Sequence, residues 1–126
     1  MSNQNFSAQI IVQKSRNRTI ILKQSDIKVF SGVARADTDL FTLSVSDPGN
    51  KHSGWSITPT GECSGGYVVT PDGKSIELRA GKGLEWDFAQ NRWYAKEDGY
   101  FNFYVAKGEF IPDGVYTLTL CIDELE

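Results

Sequence analysis

From Phe41 to Ser46 apolar and polar side chains change places at every step: Phe41, Leu43 and Val45 against Thr42, Ser44 and Ser46. A two-residue period puts one set on each face of a strand, so this stretch reads as a half-buried β-strand, not a helix, whose faces repeat near 3.6 residues. The period returns in Phe101, Phe103 and Val105, and again in Tyr116, Leu118, Leu120 and Ile122, which alternate with Thr117, Thr119 and Cys121. Residues 8–13 and 19–24 are short β-branched runs, with Ser15-Arg16-Asn17-Arg18 expected as the turn between them. Residues 27–36 read as a further strand with a bulge at Ser31-Gly32. No stretch keeps apolar residues at helical spacing for more than one turn. Residues 87–94 come nearest, and Trp86, Phe88 and Trp93 suit strands equally well.

Turn chemistry punctuates these runs. Between residues 67–70 and 75–79 stands Pro71-Asp72-Gly73-Lys74, where Pro presets φ and Gly takes a positive φ, so the two runs are expected to form a hairpin. Asp47-Pro48-Gly49-Asn50 and Ile111-Pro112-Asp113-Gly114 break the chain in the same manner. Short strands with turns about every 8–12 residues point to an antiparallel β-sandwich or barrel. The expected organisation is one domain over residues 1–126, with residues 1–6 a flexible or non-native start.

Charge and composition narrow the function. A formal net charge of -3 argues against a nucleic-acid binder, which needs a basic face for phosphates. No apolar run approaches a membrane span, and the start lacks the charged and apolar regions of a signal peptide, so one is expected to have been removed if the chain is exported. The two cysteines, Cys63 and Cys121, leave a disulfide and two free thiols equally open on count alone.

The residues offer little catalytic material. His52 is the one histidine, in the polar loop Asn50-Lys51-His52-Ser53-Gly54, and reads as solvated. No Cys or His cluster has metal-ligand spacing, and Gly81-Lys82-Gly83 is a turn and not a phosphate loop. Neighbouring acids such as Glu97-Asp98 and Asp123-Glu124 point to opposite faces of a strand and read as solvated charges. The chain is therefore read as a non-enzyme without cofactor or metal. What stands out is aromatic content: three Trp, five Tyr and seven Phe. Most of it reads as core. The remainder could serve a sugar or protein partner, with Trp55, Trp86 and Trp93 as candidate receptor contacts.

Several motifs together resemble a known family. Residues 8–12, Lys28-Val29-Phe30-Ser31-Gly32, Tyr67-Val68-Val69 followed by Asp72-Gly73-Lys74 and Glu77-Leu78-Arg79, Gly83-Leu84-Glu85-Trp86, and Ile111-Pro112-Asp113-Gly114-Val115-Tyr116 leading to Cys121 occur in order over residues 8–122. The set resembles the minor, tip-located, invasin-type subunits of bacterial chaperone–usher fibres of the Afa/Dr group, with relatives in Saf and aggregative fimbriae. The family's first cysteine has no counterpart near Gly32-Val33-Ala34. The resemblance implies an immunoglobulin-like sandwich one strand short, whose hydrophobic groove is filled by a strand from a chaperone and then from a neighbouring subunit. It implies passage through the periplasm to an extracellular fibre with the help of an usher, strand-swapped self-association of the isolated chain, and a Cys63–Cys121 bridge. The expected groove walls are Tyr116, Leu118, Leu120 and Ile122 on the last strand and Phe41, Leu43 and Val45 on an earlier one. With no strand beyond Ile122 and no long arm before Phe6, the subunit is expected to accept a strand, donate none and cap a tip that contacts host receptors. The other reading is a self-complete β-sandwich acting as a carbohydrate-binding or structural module.

Overall fold

The computed structural model describes residues 9–13, 16–26, 28–49 and 51–126, with side chains from Arg18 onward. The elements are strands β1 (Gln9–Gln13), β2 (Arg16–Gln24), β3 (Gly32–Val33), β4 (Thr38–Ser46) and β5 (Gly54–Pro59), a 3-10 turn (Gly61–Cys63), and strands β6 (Tyr67–Val69), β7 (Ser75–Glu77), β8 (Arg79–Ala80), β9 (Glu85–Asp87), β10 (Arg92–Ala95), β11 (Gly99–Val105), β12 (Phe110–Ile111) and β13 (Leu120–Leu125).

Two antiparallel sheets form the body: β1-β2-β4-β11-β8 and β13-β5-β10-β9. Their apolar faces meet. The first contributes Ile20, Leu22, Leu43, Val45, Phe101, Phe103 and Val105; the second contributes Trp55, Ile57, Trp93, Ala95, Leu120 and Ile122. The Trp93 and Phe103 rings touch across the interface with centroids 4.8 Å apart. The alternation in β4 and β11 is realised as read, with Leu43 paired to Phe101 and Phe41 to Phe103. The expected hairpin forms as β6 and β7, Val68 opposite Ile76, with Gly73 at φ 87 in its turn.

Three expectations are corrected. Arg16, Asn17 and Arg18 belong to β2, in register with Gln13, Val12 and Ile11, so the expected turn at 15–18 is strand from Arg16 on; Ala8, Ser15 and Ile27 lie outside the described residues. The strand expected over 27–36 shrinks to Gly32–Val33, because Gly32 takes φ +123 and breaks the extended run, and among the described residues only β12 pairs with it. The last strand covers 120–125 and not 116–122. Its partner β5 gives a final bond, Thr60 N–H to Thr119 O at 3.0 Å, and the chain then turns at Gly61–Cys63, leaving residues 116–118 without a ladder partner on that side.

Candidate functional site

Among the described residues β13 pairs with β5 alone and is the edge of its sheet. Its bonds to β5 are bracketed by Thr60 N–H to Thr119 O and Ser53 N–H to Leu125 O. In an antiparallel ladder this parity aims the amides of the odd-numbered residues 119–125 at β5 and those of Leu120 and Ile122 away from it. The edge therefore presents backbone donors and acceptors outward, while the side chains of Leu120 and Ile122 enter the core.

Every expected groove residue lies along this core. Leu43, Val45, Leu118, Leu120 and Ile122 are buried, and Phe41 and Tyr116 are half-buried against them. They line one closed core and not an open trough. Apolar surface reaches solvent farther along, where the chain approaching β13 has not yet joined a sheet. A cavity of about 290 Å³ lies there between Val29, Leu40, Ile111 and Tyr116, and the Tyr116 hydroxyl donates to Pro112 O. A second, of about 480 Å³, adjoins it beside Val33 and Ala34. Phe30 on its rim is 76% exposed, and Val33 and Phe110 are exposed as a cross-strand pair. The sequence reading placed Val29 and Phe30 on a strand over residues 27–36. Their signal was the adjacent Ser31-Gly32, which marks the chain leaving the sheet.

A third recess of about 260 Å³ opens between the β6–β7 hairpin and β9. Its aromatic residues are Tyr67, Trp86, Phe88 and Trp93, and its polar ones Glu77 and Arg79, which pair at 3.5 Å. Trp86 stands edge-on to Trp93 at 5.1 Å and to Phe88 at 6.4 Å. Of the three expected receptor tryptophans, Trp86 is half-buried here and Trp93 is buried at its base. Trp55 is corrected: it is fully buried and its indole N–H is committed to Asp98 at 2.8 Å.

The expected disulfide is corrected as well, since both thiols are free. Cys63 sits in the core and its Sγ donates to Thr117 O at 3.4 Å. Cys121 alternates with the inward Leu120 and Ile122 and so faces the opposite side of β13. Burial pushes both thiols above their ordinary titration. His52 is not a solvated loop residue: its side chain is 10% exposed, with Asp98 and Glu124 at its two ring nitrogens.

Comparison with known proteins places this geometry. Residues 21–125 match the family described as Ph 6 antigen. The chain is 30% identical to the fimbrial protein MyfA of Yersinia enterocolitica over 98% of its own length and 77% of the relative's. It is 25% identical to the pH 6 antigen of Yersinia pestis over 98% and 80%. The structure of self-complemented MyfA, the major subunit of Myf fimbriae, superposes with a TM-score of 0.74 at 31% identity, over 84% of each chain. A second structure of that protein, in complex with galactose, superposes with the same TM-score. The minor tip subunit HdaB of the E. coli Hda pilus shares the fold at a TM-score of 0.64 and 17% identity, over 84% of this chain and 82% of its own.

Proposed function

The chain belongs to the Ph 6 antigen family of chaperone–usher fimbrial subunits, and from that premise we propose that it is a repeating fibre subunit whose β13 edge accepts a neighbour's strand and whose aromatic recess takes a hexose. The family carries the coarse part: an immunoglobulin-like subunit completed by a donated strand and assembled through the periplasm into an extracellular fibre. The observation that carries the finer part is the sheet edge at β13. Leu120 and Ile122 turn backbone groups outward there, and an added strand would pair with them while its alternate side chains packed against the rim of the core. A chaperone strand would occupy the lane first and a subunit strand afterwards, with the usher as the site of exchange.

The assignment as a repeating subunit rests on greater identity to a major subunit than to a tip subunit, 31% against 17%. Gln9-Ile10-Ile11-Val12-Gln13 is the candidate strand to give away. Among the described residues it pairs with β2 only, at the outer edge of its sheet, and its composition suits an apolar lane. The tip-capping, invasin-type reading has no comparable support, because a likeness at 17% identity speaks to fold alone.

The hexose reading draws on the galactose complex of MyfA and on the recess beside Trp86. An indole supplies a flat apolar surface for a sugar face, and Glu77 and Arg79 supply groups for hydroxyls.

Two experiments test the proposal. In the first, a copy of residues 8–13 is appended after Glu126 through a short flexible linker. The fused chain should be monomeric and unfold at higher denaturant than the parent; an unchanged midpoint overturns the acceptor edge. In the second, galactose is titrated against tryptophan fluorescence. A saturable change lost in Trp86→Ala supports the recess, and a change that survives that substitution overturns it.

A further inference from the structure

The inward row of β13 ends on an acid. Leu120 and Ile122 fill the core, and two positions on, the same side of the strand carries Glu124, opposite the buried Trp55. A carboxylate at the mouth of an apolar core needs a partner. His52 supplies it: Nδ1 lies 3.0 Å from Glu124 Oε2, and Nε2 lies 2.6 Å from Asp98 Oδ1. The side chains of His52 and Glu124 are only 10% and 8% exposed. The imidazole packs edge-on against Trp55 with centroids 5.4 Å apart. Asp98 is itself fixed, accepting from the Trp55 indole at 2.8 Å and from the Asp47 N–H at 2.9 Å.

Both ring nitrogens thus face carboxylate oxygens. A neutral imidazole has a single N–H, so one contact would set a lone pair against a carboxylate. Only the imidazolium donates at both. The other charged groups nearby do not alter this. Lys51 on the same loop, Lys96 and Glu97 before β11, and Asp123 on β13 are exposed. Asp47, at the end of β4, adds a third acid to this end of the sandwich, fully buried and with neither carboxylate oxygen hydrogen-bonded.

We propose that His52 is a positioning residue of the acceptor strand: as an imidazolium it staples the end of β13, through Glu124, to the turn before β11, through Asp98, and losing its proton loosens that end. The proposal rests on β13 being the acceptor edge, but the staple is testable separately. With a carboxylate oxygen at each ring nitrogen, the staple requires the native ring to hold its proton more tightly than the unfolded chain, where histidine titrates at about 6.5. The staple is therefore complete at acid pH and is lost as the pH rises through the native titration. The bonds it protects are at hand: Ser53 N–H to Leu125 O at 2.8 Å and Ser53 Oγ to Glu126 O at 3.1 Å.

The test uses the full chain. Native-state hydrogen exchange of the Ser53 amide is followed from about pH 5.5 to about pH 8.5, spanning the ordinary histidine range, and expressed as protection factors. Protection should fall by up to about tenfold per pH unit, while amides pairing β4 with β11 keep theirs. His52→Gln should abolish the slope and Glu124→Gln should weaken it. Nitrogen-15 shifts of the wild-type ring should show both nitrogens protonated at neutral pH. A single neutral tautomer there, or a slope retained in His52→Gln, overturns the staple. If His52→Gln does not fold, the wild-type ring shifts decide. Failure of the appended strand to bind, with these results intact, would count against the acceptor edge and not the staple.

Discussion

Asp98 shows how much a single exposed-looking acid can hold. It accepts from the Asp47 N–H, the Trp55 indole and His52. Burial pushes its carboxyl up, but the Asp47 N–H, the Trp55 indole and the His52 ring outweigh that and hold it below the ordinary carboxylate value. A depressed native titration means that its contribution is in place above about pH 4, the unfolded value, and is lost as the pH falls through the native one. Asp98→Asn should cost about 1–3 kcal/mol at neutral pH, as for hydrogen bonds to a charged acceptor. That deficit should close below about pH 4; urea unfolding at both pH values measures it, and a deficit constant with pH would contradict the assignment. None of this was legible in the sequence. Glu97-Asp98 read as solvated because the partners lie 43 and 51 residues away. Trp55 read as a candidate surface aromatic because composition does not say which tryptophan the core takes.

At the scale of elements, patterns confined to neighbouring residues were legible and those needing a distant partner were not. The β6–β7 hairpin and the alternation of β4 and β11 follow from local turn chemistry and period. The reach of β13 does not: Tyr116 and Leu118 continue its alternation, but β5 has already turned away at Gly61–Cys63. The same ladder predicts how β13 should respond to substitution. Ile122→Ala should cost about 2–4 kcal/mol, as for a buried Ile. Ile122→Pro should fold about as well as Ile122→Ala, because the lost N–H points away from β5 and proline is tolerated where an edge N–H faces out. Only the proline variant should gain nothing from an appended copy of residues 8–13, since the missing donor and the ring both oppose a new strand. Denaturation midpoints of the two variants with and without the appended segment measure this, and an equal gain in both would show that the strand does not add at Ile122.

For the molecule as a whole, the question is what joins the two sheets. The resemblance implied a covalent tie from Cys63 to the last strand, and the fold instead places the two thiols on opposite sides of β13. What joins the sheets is packing, centred on Trp93 against Phe103, with Trp55, Leu43 and Leu120 wholly buried around it. The two alternatives differ measurably. A bridge closing a loop of that length would stabilise the fold by about 4 kcal/mol, and reductant would remove it. With free thiols the unfolding midpoint should be the same with and without reductant, and the denatured chain should titrate two thiols per molecule. In the native state the half-buried Cys121 should react before the buried Cys63, and both slowly at neutral pH, because burial raises each thiol and keeps it protonated. A reductant-sensitive midpoint would restore the covalent tie. An insensitive one means that β13 is held on its apolar side by the packing of Leu120 and Ile122, with no covalent tie to Cys63.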